Sequence, residues 1–257
     1  MRVLVCVKRV PAPGAKINVT PDGQQVDTAN LGFTMSPHEE CGVELAVQLI
    51  EQHGGESHVL TLGIPEADEQ CRYAASIGVN QATLVEVDAM DWDPQRTAKA
   101  LTEAIHAIES EDGPFDLIVM GNESADTGGF QVGIRVARAL GRPIVQGLKG
   151  VELSDDGSSF VCRREIDTGS EVYELPPPAV VGVKEGITWP RYPTMRGRLA
   201  SKKLDVSVVS SDAEPGGQSK VRLVRPEEKV SETVQLGDGP DAAAKVVDLM
   251  EELGVLS

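Results

Sequence analysis

Aromatic residues and long apolar runs are scarce in this sequence. Phe, Trp and Tyr make up 4% of its 257 residues, and apolar stretches such as residues 3–7 and 117–120 are short. A membrane-spanning helix needs ~20 apolar residues, so membrane insertion is not expected. The first residues lack the basic region, apolar stretch and cleavage site of a secretory signal. We therefore expect a globular protein of the cytoplasm.

Cysteine motifs and positive charge are scarce as well. The four cysteines, Cys6, Cys41, Cys71 and Cys162, have no CxxC spacing and are interpreted as core residues. With 24 Lys and Arg against 40 Asp and Glu, the formal net charge is −16, which would repel a nucleic-acid backbone. No His, Ser or Cys lies in a metal-ligand or nucleophile motif. Nucleic-acid binding and a catalytic site of this chain's own are not expected.

Short apolar runs rich in β-formers occur at residues 2–7, 58–62, 83–87 and 115–120. Runs of this kind predict strands that are buried on both faces. Helical patterns separate them, and the alternation of strand and helix predicts an α/β fold with a parallel sheet.

Three helices are expected between these strands. The first begins at the capping sequence of residues 36–39, with Pro at its first position, and ends at the glycines 54–55. The second follows Pro65 and stops near Gly78, and the third follows residues 93–94.

The pattern changes after about residue 150. Residues 151–153, 160–164 and 171–175 resemble short strands separated by Asp- and Gly-containing turns, which predicts a β-meander attached to the α/β core. Residues 188–203 and 210–220 are rich in Pro, Gly, Ser and charge, so we expect an exposed loop or arm there. The last 18 residues are expected to form a helix with an apolar stripe of Val246, Val247 and Met250.

Three loops at the predicted carboxyl ends of strands form a candidate ligand crevice. Residues 120–133, MGNESADTGGFQVG, leave a strand and enter a helix, and there glycines and free amides can bind a phosphate. A plain strand-to-helix turn would carry similar glycines, so both interpretations stay open. Residues 34–39 feed another helix start, where the sequence taken alone favours simple capping over a ligand contact, and residues 61–63 end the neighbouring strand.

Residues 189–203 form a basic segment with aromatic residues in an otherwise acidic chain. Aromatic, Met and Arg side chains are enriched in interfaces, so the segment is a candidate contact surface. A solvated basic loop is the alternative.

Several segments together resemble the β subunit of electron transfer flavoproteins along nearly the whole chain. They occur in the family's order: residues 3–11 (VLVCVKRVP), 21–23 (PDG), 35–37 (MSP), 121–126 (GNESAD), 164–169 (REIDTG), 175–181, and 189–203, which is similar to the family's Pro-Arg-Tyr…Ala-Lys-Lys signature.

The resemblance implies a doubly wound, mostly parallel sheet of the adenine nucleotide α-hydrolase-like or flavodoxin-like kind. It implies an α/β nucleotide-binding domain over residues 1–185, with the β-meander at about 150–175. Residues 186–257 would hold a recognition loop and an arm that contacts the α subunit. That partner would hold most of the redox FAD, and this chain would hold AMP. The implied nucleotide contacts are Cys6, Ser36, Pro37, His38, Glu39, Leu62, Gly121, Asn122, Glu123, Ser124, Ala125, Asp126, Thr127, Gly128, Gly129, Phe130, Gln131 and Val132.

The resemblance also implies a function. The chain would accept electrons from flavin dehydrogenases, such as the acyl-CoA dehydrogenases of fatty acid β-oxidation, and pass them towards a quinone oxidoreductase. Glu165 matches a glutamate associated with dehydrogenase reactivity or domain positioning. Met195 stands at an apolar anchor position where Leu is familiar. The loop that recognises the dehydrogenase would comprise Arg191, Tyr192, Pro193, Thr194, Met195, Arg196, Gly197, Arg198, Leu199 and Ala200.

The sequence departs from AMP-binding relatives at several positions. Val132 replaces a phosphate-contacting Thr, Phe130 replaces an Asn, and Pro13 or Gly14 and His38 replace aromatic residues. Val at position 132 is familiar in relatives that carry a second FAD, so a bifurcating type with that second FAD is an alternative. A standalone adenine-nucleotide-binding module of the universal stress type is another, but it would lack residues 186–257.

Overall fold

A computed structural model describes residues 1–89, 92–227 and 233–256. Its strands and helices follow in chain order: β1 (Arg2–Val7), β2 (Val10–Pro11), β3 (Asn18–Val19), β4 (Val26–Asp27), β5 (Phe33–Thr34), α1 (Pro37–His53), β6 (Glu56–Gly63), α2 (Asp68–Ile77), β7 (Gln81–Glu86), α3 (Pro94–Asp112), β8 (Leu117–Gly121), α4 (Val132–Leu140), β9 (Ile144–Leu153), β10 (Phe160–Ile166), β11 (Gly169–Leu175), β12 (Ala179–Val183), α5 (Met195–Ser201), β13 (Val206–Ser210) and α6 (Ala243–Glu252).

The central feature is a nine-stranded sheet with the order β11-β10-β9-β12-β8-β1-β6-β7-β13. The strands from β9 to β13 in this spatial order are all parallel, whereas β10 and β11 continue the sheet as antiparallel strands. Two small ladders, β2 with β5 and β3 with β4, complete the strand pairing among the described residues. This arrangement confirms the predicted α/β fold class and the antiparallel meander.

Each face of the sheet is covered by a separate apolar core. Val3, Val5 and Val7 of β1 point into one core together with residues of α1 and α2. Leu4 and Cys6 of the same strand point into the other core, which includes residues of α3 and α4. A strand that is buried on both sides must be apolar at every position, and this explains the continuous apolar run of residues 3–7.

The predicted helices are confirmed with small changes at their ends. Ser36 is the N-cap of α1 and Gly54 its C-cap, and Asp93 is the N-cap of α3. A short 3₁₀ turn, Pro65–Ala67, precedes α2. Pro65 is the first residue of this turn, and α2 itself begins at Asp68. All four cysteines are buried, as predicted for core residues.

The structure corrects three predictions from the second half of the chain and adds one strand. Strand β9 already begins at Ile144, ahead of the expected meander. The segment predicted as loop over 188–203 contains α5 and the buried Ser201. The predicted exposed stretch 210–220 contains Ala213, which packs in the α3 and α4 core. The unpredicted strand β13 pairs in parallel with β7 at the sheet edge.

The chain divides into two compact units, Met1–Leu223 and Val224–Ser257. The second unit contains a 3₁₀ turn, Gly239–Ala242, followed by α6. The expected C-terminal helix is therefore shorter than predicted, and its last residue, 257, lies outside the described residues. Within the described ranges, no helix is both long and apolar enough to cross a membrane.

Candidate functional site

A crevice opens where the direction of strand addition reverses. Strand β1 lies between β6 and β8, so the chain builds the sheet first to one side of β1 and then to the other. Ligands of doubly wound sheets bind outside the carboxyl ends of strands at such a point. The crevice has a volume of about 900 Å³, and the ends of β1, β6 and β8 line it through Cys6, Leu62 and Gly121.

Glu39 forms part of the crevice wall although it is only 6% exposed. Its carboxylate accepts a hydrogen bond from the Ser36 backbone N–H at 3.1 Å, as the predicted capping box requires. Burial raises the pKa of Glu39 to about 7, against the opposing effect of backbone hydrogen bonds. Burial, and secondarily the charge of Glu39, raises the pKa of Cys6 to about 12, so Cys6 is an uncharged thiol.

The loop after β8 is held by its own hydrogen bonds and by Lys8, the residue that follows β1. Lys8 Nζ lies 2.6 Å from Asp126 Oδ2, Ser124 Oγ lies 2.8 Å from Thr127 Oγ1, and the Gly128 N–H donates to the Ser124 carbonyl. Burial would raise the pKa of Asp126, but the charge of Lys8 and the hydrogen bonds that the Asp126 carboxylate accepts from Lys8, Ser124 and the Thr127 N–H hold that pKa below its usual value. The loop is therefore ordered by hydrogen bonds among its own residues and by its ion pair with Lys8.

The start of α4 lies at the crevice and supplies backbone donors. Gln131 is its N-cap, and the first amides of a helix have no intrahelical acceptor. Val132 lines the crevice with an apolar side chain and offers no hydroxyl. Phe130, at the preceding turn, has φ +54° and is exposed. Free amides at a helix start suit an anion such as a phosphate.

A further part of the crevice lining comes from residues that were not predicted as ligand contacts. Arg96 stacks over the Trp92 ring at 3.5 Å and donates to the Ala213 carbonyl at 2.6 Å. Asp93 caps α3 and accepts a hydrogen bond from the Gly216 N–H at 2.8 Å. Asp93 follows β7, whose end is a fourth strand end besides those of β1, β6 and β8. That position is the signal by which the sequence could have identified Asp93 as a crevice residue. Residues 215–220 have no such signal.

The structure brings together most of the predicted nucleotide contacts. Those that line the crevice are Cys6, Glu39, Leu62, Gly121, Asn122, Glu123, Ser124, Thr127, Gly129, Phe130, Gln131 and Val132.

Six predicted residues lie outside the crevice lining: Ser36, Pro37, His38, Ala125, Asp126 and Gly128. Ser36 is fully buried as the N-cap of α1. His38 Nδ1 accepts a hydrogen bond from the Glu185 N–H at 2.7 Å. Asp126 is paired with Lys8, so these side chains hold the walls rather than face the space between them.

The 191–200 segment is partly helical, because α5 begins within it. Thr194 Oγ1 accepts a hydrogen bond from the Gly197 N–H at 3.0 Å and so caps α5. Tyr192 and Met195 are 92% and 77% exposed, and Leu199 is exposed as well. Apolar side chains of this size are left in solvent on a short, capped helix, which is a geometry suited to contact with another protein.

Glu165 lies far along the meander. It is exposed on β10, opposite Ser170 of β11, and it does not line the crevice. Among the residues that the structure describes, no cluster of His, Cys, Asp or Glu could hold a metal ion.

Comparison with known proteins gives the family. Residues 24–214 match the family described as Electron transfer flavoprotein domain. The chain is also 34% identical to an electron transfer flavoprotein subunit beta of Syntrophomonas wolfei, over 95% of this chain and 93% of the relative. The chain belongs to the electron transfer flavoprotein β-subunit family.

Other members of the β-subunit family match over similar lengths. The Bacillus subtilis protein is 28% identical over 97% of both chains, and the Bradyrhizobium diazoefficiens protein is 32% identical over 80% of both. The resemblance drawn from the sequence motifs is therefore confirmed, and with it a role in electron transfer involving a flavin. The ligand of the crevice and the partner of the 191–200 segment stay predictions.

Proposed function

We propose that this chain is the β subunit of a heterodimeric electron carrier that operates in the cytoplasm. It would accept electrons from flavin dehydrogenases, such as acyl-CoA dehydrogenases, and pass them towards a quinone oxidoreductase, without substrate turnover of its own. The FAD that carries the electrons would be held mainly by the α subunit. The main support for the proposal is that a chain of this family exposes apolar side chains on its 191–200 segment, which contains a capped helix.

The crevice would hold AMP as a structural ligand. Backbone amides at the start of α4 would take the phosphate, and Lys8 and Arg96 would add positive charge at the crevice walls. The apolar atoms of Leu62 and Met120 suit the flat face of a base. The donor set therefore fits an adenine nucleotide.

A second FAD in the crevice is the other candidate, and it would make the protein a bifurcating type. The volume of about 900 Å³ lies near the upper end of the roughly 300–1,000 Å³ range of small-molecule sites. Val132 lacks the hydroxyl that would bind the phosphate of AMP, and Trp92 adds an aromatic wall. These features are the argument for FAD as the alternative ligand.

Co-expression with the α subunit of the same organism tests both proposals. We expect a one-to-one complex on size-exclusion chromatography, and mass spectrometry of the released ligands should find one FAD and one AMP per complex. Two FAD per complex would establish the bifurcating type. A flavin-saturated monomer of this chain would contradict the heterodimer, and a complex without any second nucleotide would contradict the crevice assignment.

Val132→Thr is a diagnostic variant for the ligand. It restores a hydroxyl at the start of α4 with little change in shape. If AMP is the ligand, the variant should retain AMP more strongly during dialysis than the unmodified protein does. If FAD occupies the crevice, AMP retention should not change.

A further inference from the structure

One face of α1 holds the chain just before the 191–200 segment. Residues three and four apart in a helix lie on the same face, and four polar side chains of α1 follow this spacing. Thr188 is held by two of them: its carbonyl accepts from Cys41 Sγ at 3.3 Å, and its Oγ1 accepts from Gln48 Nε2 at 2.9 Å. The full stripe consists of Cys41, Glu44, Gln48 and Glu51.

Arg191 makes the strongest contacts with this stripe. Its Nε and Nη2 donate to the Glu44 carboxylate at 2.9 and 2.8 Å, and its backbone N–H donates to the same group at 3.2 Å. Its Nη1 and Nη2 also donate to Glu51 at 2.7 and 2.8 Å. A planar guanidinium that binds two carboxylates in this way is fixed in orientation.

Glu44 is the inner partner and is only 2% exposed. It also accepts a hydrogen bond from Gln48 Nε2 at 2.7 Å. A buried carboxylate is costly when unpaired, so the folded chain strongly favours the position of Arg191 that neutralises it.

The far end of the segment is held by α2. A Cβ at Gly197 would overlap the Ser76 carbonyl oxygen, so α5 approaches α2 more closely than any other residue type would allow. Arg72 Nη1 donates to the carbonyls of Ser201 and Leu204 at 3.1 and 3.2 Å. The 191–200 segment is thus attached at both ends, while Tyr192, Met195 and Leu199 between them remain exposed.

We propose that the Arg191–Glu44 pair is a positioning device that presents Met195 to the partner dehydrogenase. This inference rests on the proposed function, in which the 191–200 segment contacts the dehydrogenase. When binding has to order a mobile segment, the lost conformational entropy lowers the affinity. Glu44 already holds the 191–200 segment in place, so binding to the dehydrogenase does not incur this loss. Arg191 and Glu44 therefore act on electron transfer through the position of Met195.

Glu44→Gln in the complete heterodimer tests the proposal. Glu44 is buried, so it cannot itself touch a dehydrogenase, and Gln preserves its shape while removing the charge. With an acyl-CoA dehydrogenase as electron donor, KM for the heterodimer should rise about fivefold to tenfold with kcat unchanged. Arg191→Lys, which retains charge but loses the bidentate geometry, should act in the same direction.

A double-mutant cycle separates positioning from general stability. If the pair acts through Met195, Glu44→Gln should have no further effect on KM in a Met195→Ala background. Arg163→Ala, which removes an exposed Arg–Glu pair of the meander, is the matched control and should leave KM unchanged. An equal rise of KM in both backgrounds, or an unchanged KM in the single variant, would overturn the proposal.

Hydrogen exchange gives a second readout that needs no dehydrogenase. The amides of Gly197 and Arg198, which bond to Thr194, should exchange faster in Glu44→Gln and in Arg191→Lys. Unchanged exchange in both variants would overturn the proposal. If Glu44→Gln does not fold, Glu51→Gln, at the exposed outer partner, provides the same comparison with a smaller effect. Failure of the unmodified heterodimer to accept electrons would contradict the proposed function instead, and the exchange experiment would still decide the role of the pair.

Discussion

Glu39 is a carboxyl group whose environment differs between the folded and the unfolded chain. Burial raises its pKa in the folded state from 4.5 to about 7. Between these two pH values the native chain holds a proton that the unfolded chain releases. The contribution of Glu39 to stability is therefore complete below about pH 4.5 and is lost as the pH rises through 7.

Glu39→Gln should remove this pH dependence. Gln retains the capping oxygen but cannot ionise, so the variant should match the unmodified protein near pH 4.5 and exceed its free energy of unfolding by up to about 3 kcal/mol at pH 8. Urea unfolding at pH 5, 6, 7 and 8 measures this difference. Parallel stability curves for the two proteins would show that Glu39 does not titrate in this range.

Met195 supports a second prediction at the same scale. It is 77% exposed on α5, so its truncation removes few contacts within this chain. Met195→Ala should weaken binding to the dehydrogenase by ~1–3 kcal/mol, roughly fivefold to 150-fold, because interface energy is concentrated in a few anchors. Dehydrogenase-dependent reduction of the flavin, measured at several heterodimer concentrations, checks this.

Met195→Leu is the matched control, since Leu has a similar volume and apolar character. It should retain nearly full electron transfer, and both variants should keep the unmodified melting temperature and flavin content. A fall in melting temperature for Met195→Ala would instead place the side chain in a structural contact.

Helix α1 is the element that joins the two candidate functional regions. Its first turn contributes Glu39 to the crevice wall, and its polar stripe binds Arg191 through Glu44 and Glu51. The capping box sets where α1 begins, and the helical spacing then determines which side chains face the 191–200 segment. Both candidate functional regions therefore depend on α1: the crevice wall depends on its cap, and the 191–200 segment depends on its polar stripe.

The contact between α5 and α2 can be tested through Gly197. In Gly197→Ala the added Cβ would overlap the Ser76 carbonyl oxygen, so α5 must move away from α2. We expect a loss of about 1–3 kcal/mol in the free energy of unfolding, together with faster hydrogen exchange in the 191–200 segment. Gly217→Ala is the control, because a Cβ at 217 meets no atom within 4 Å. Equal stability of the two variants would contradict the close approach.

At the scale of the whole molecule, the described residues that form the two apolar cores all precede Leu223. The last buried member of either core is Ala213. In the second unit, α6 has no buried residue, and Val246, Val247 and Leu249 are exposed. An amphipathic helix with an uncovered apolar stripe is typical of a segment that binds a partner.

A chain truncated after residue 223 should therefore fold but fail to assemble. We expect its circular dichroism spectrum and melting temperature to stay close to those of the full chain, because both cores are intact. Its co-purification with the α subunit should be lost, since the proposed contact helix is missing. Undiminished assembly of the truncated chain would refute the role of residues 224–257.

The sequence by itself determined the fold class, the family and the strand ends that line the crevice. Continuous apolar runs predicted strands that are buried on both faces, and the capping sequence at Ser36 predicted the start of α1. Both signals depend only on residues that are neighbours in the sequence, so they can be read without the fold. Motif order predicted the family that the comparisons confirmed. The parallel sheet then brought the ends of β1, β6 and β8 to one edge, as predicted.

The tertiary structure alone decided the remaining contacts. Arg191 pairs with Glu44 across 147 positions of sequence, and Gly216 meets Asp93 across 123. Strand β13 completes the sheet by joining β7, which precedes it by more than a hundred residues. Periodicity and capping describe only residues within a few turns of each other. Contacts between distant segments depend on how the elements pack. The part of the crevice lined by Trp92, Arg96 and Pro215 and the anchoring of the 191–200 segment therefore became visible only in the folded chain.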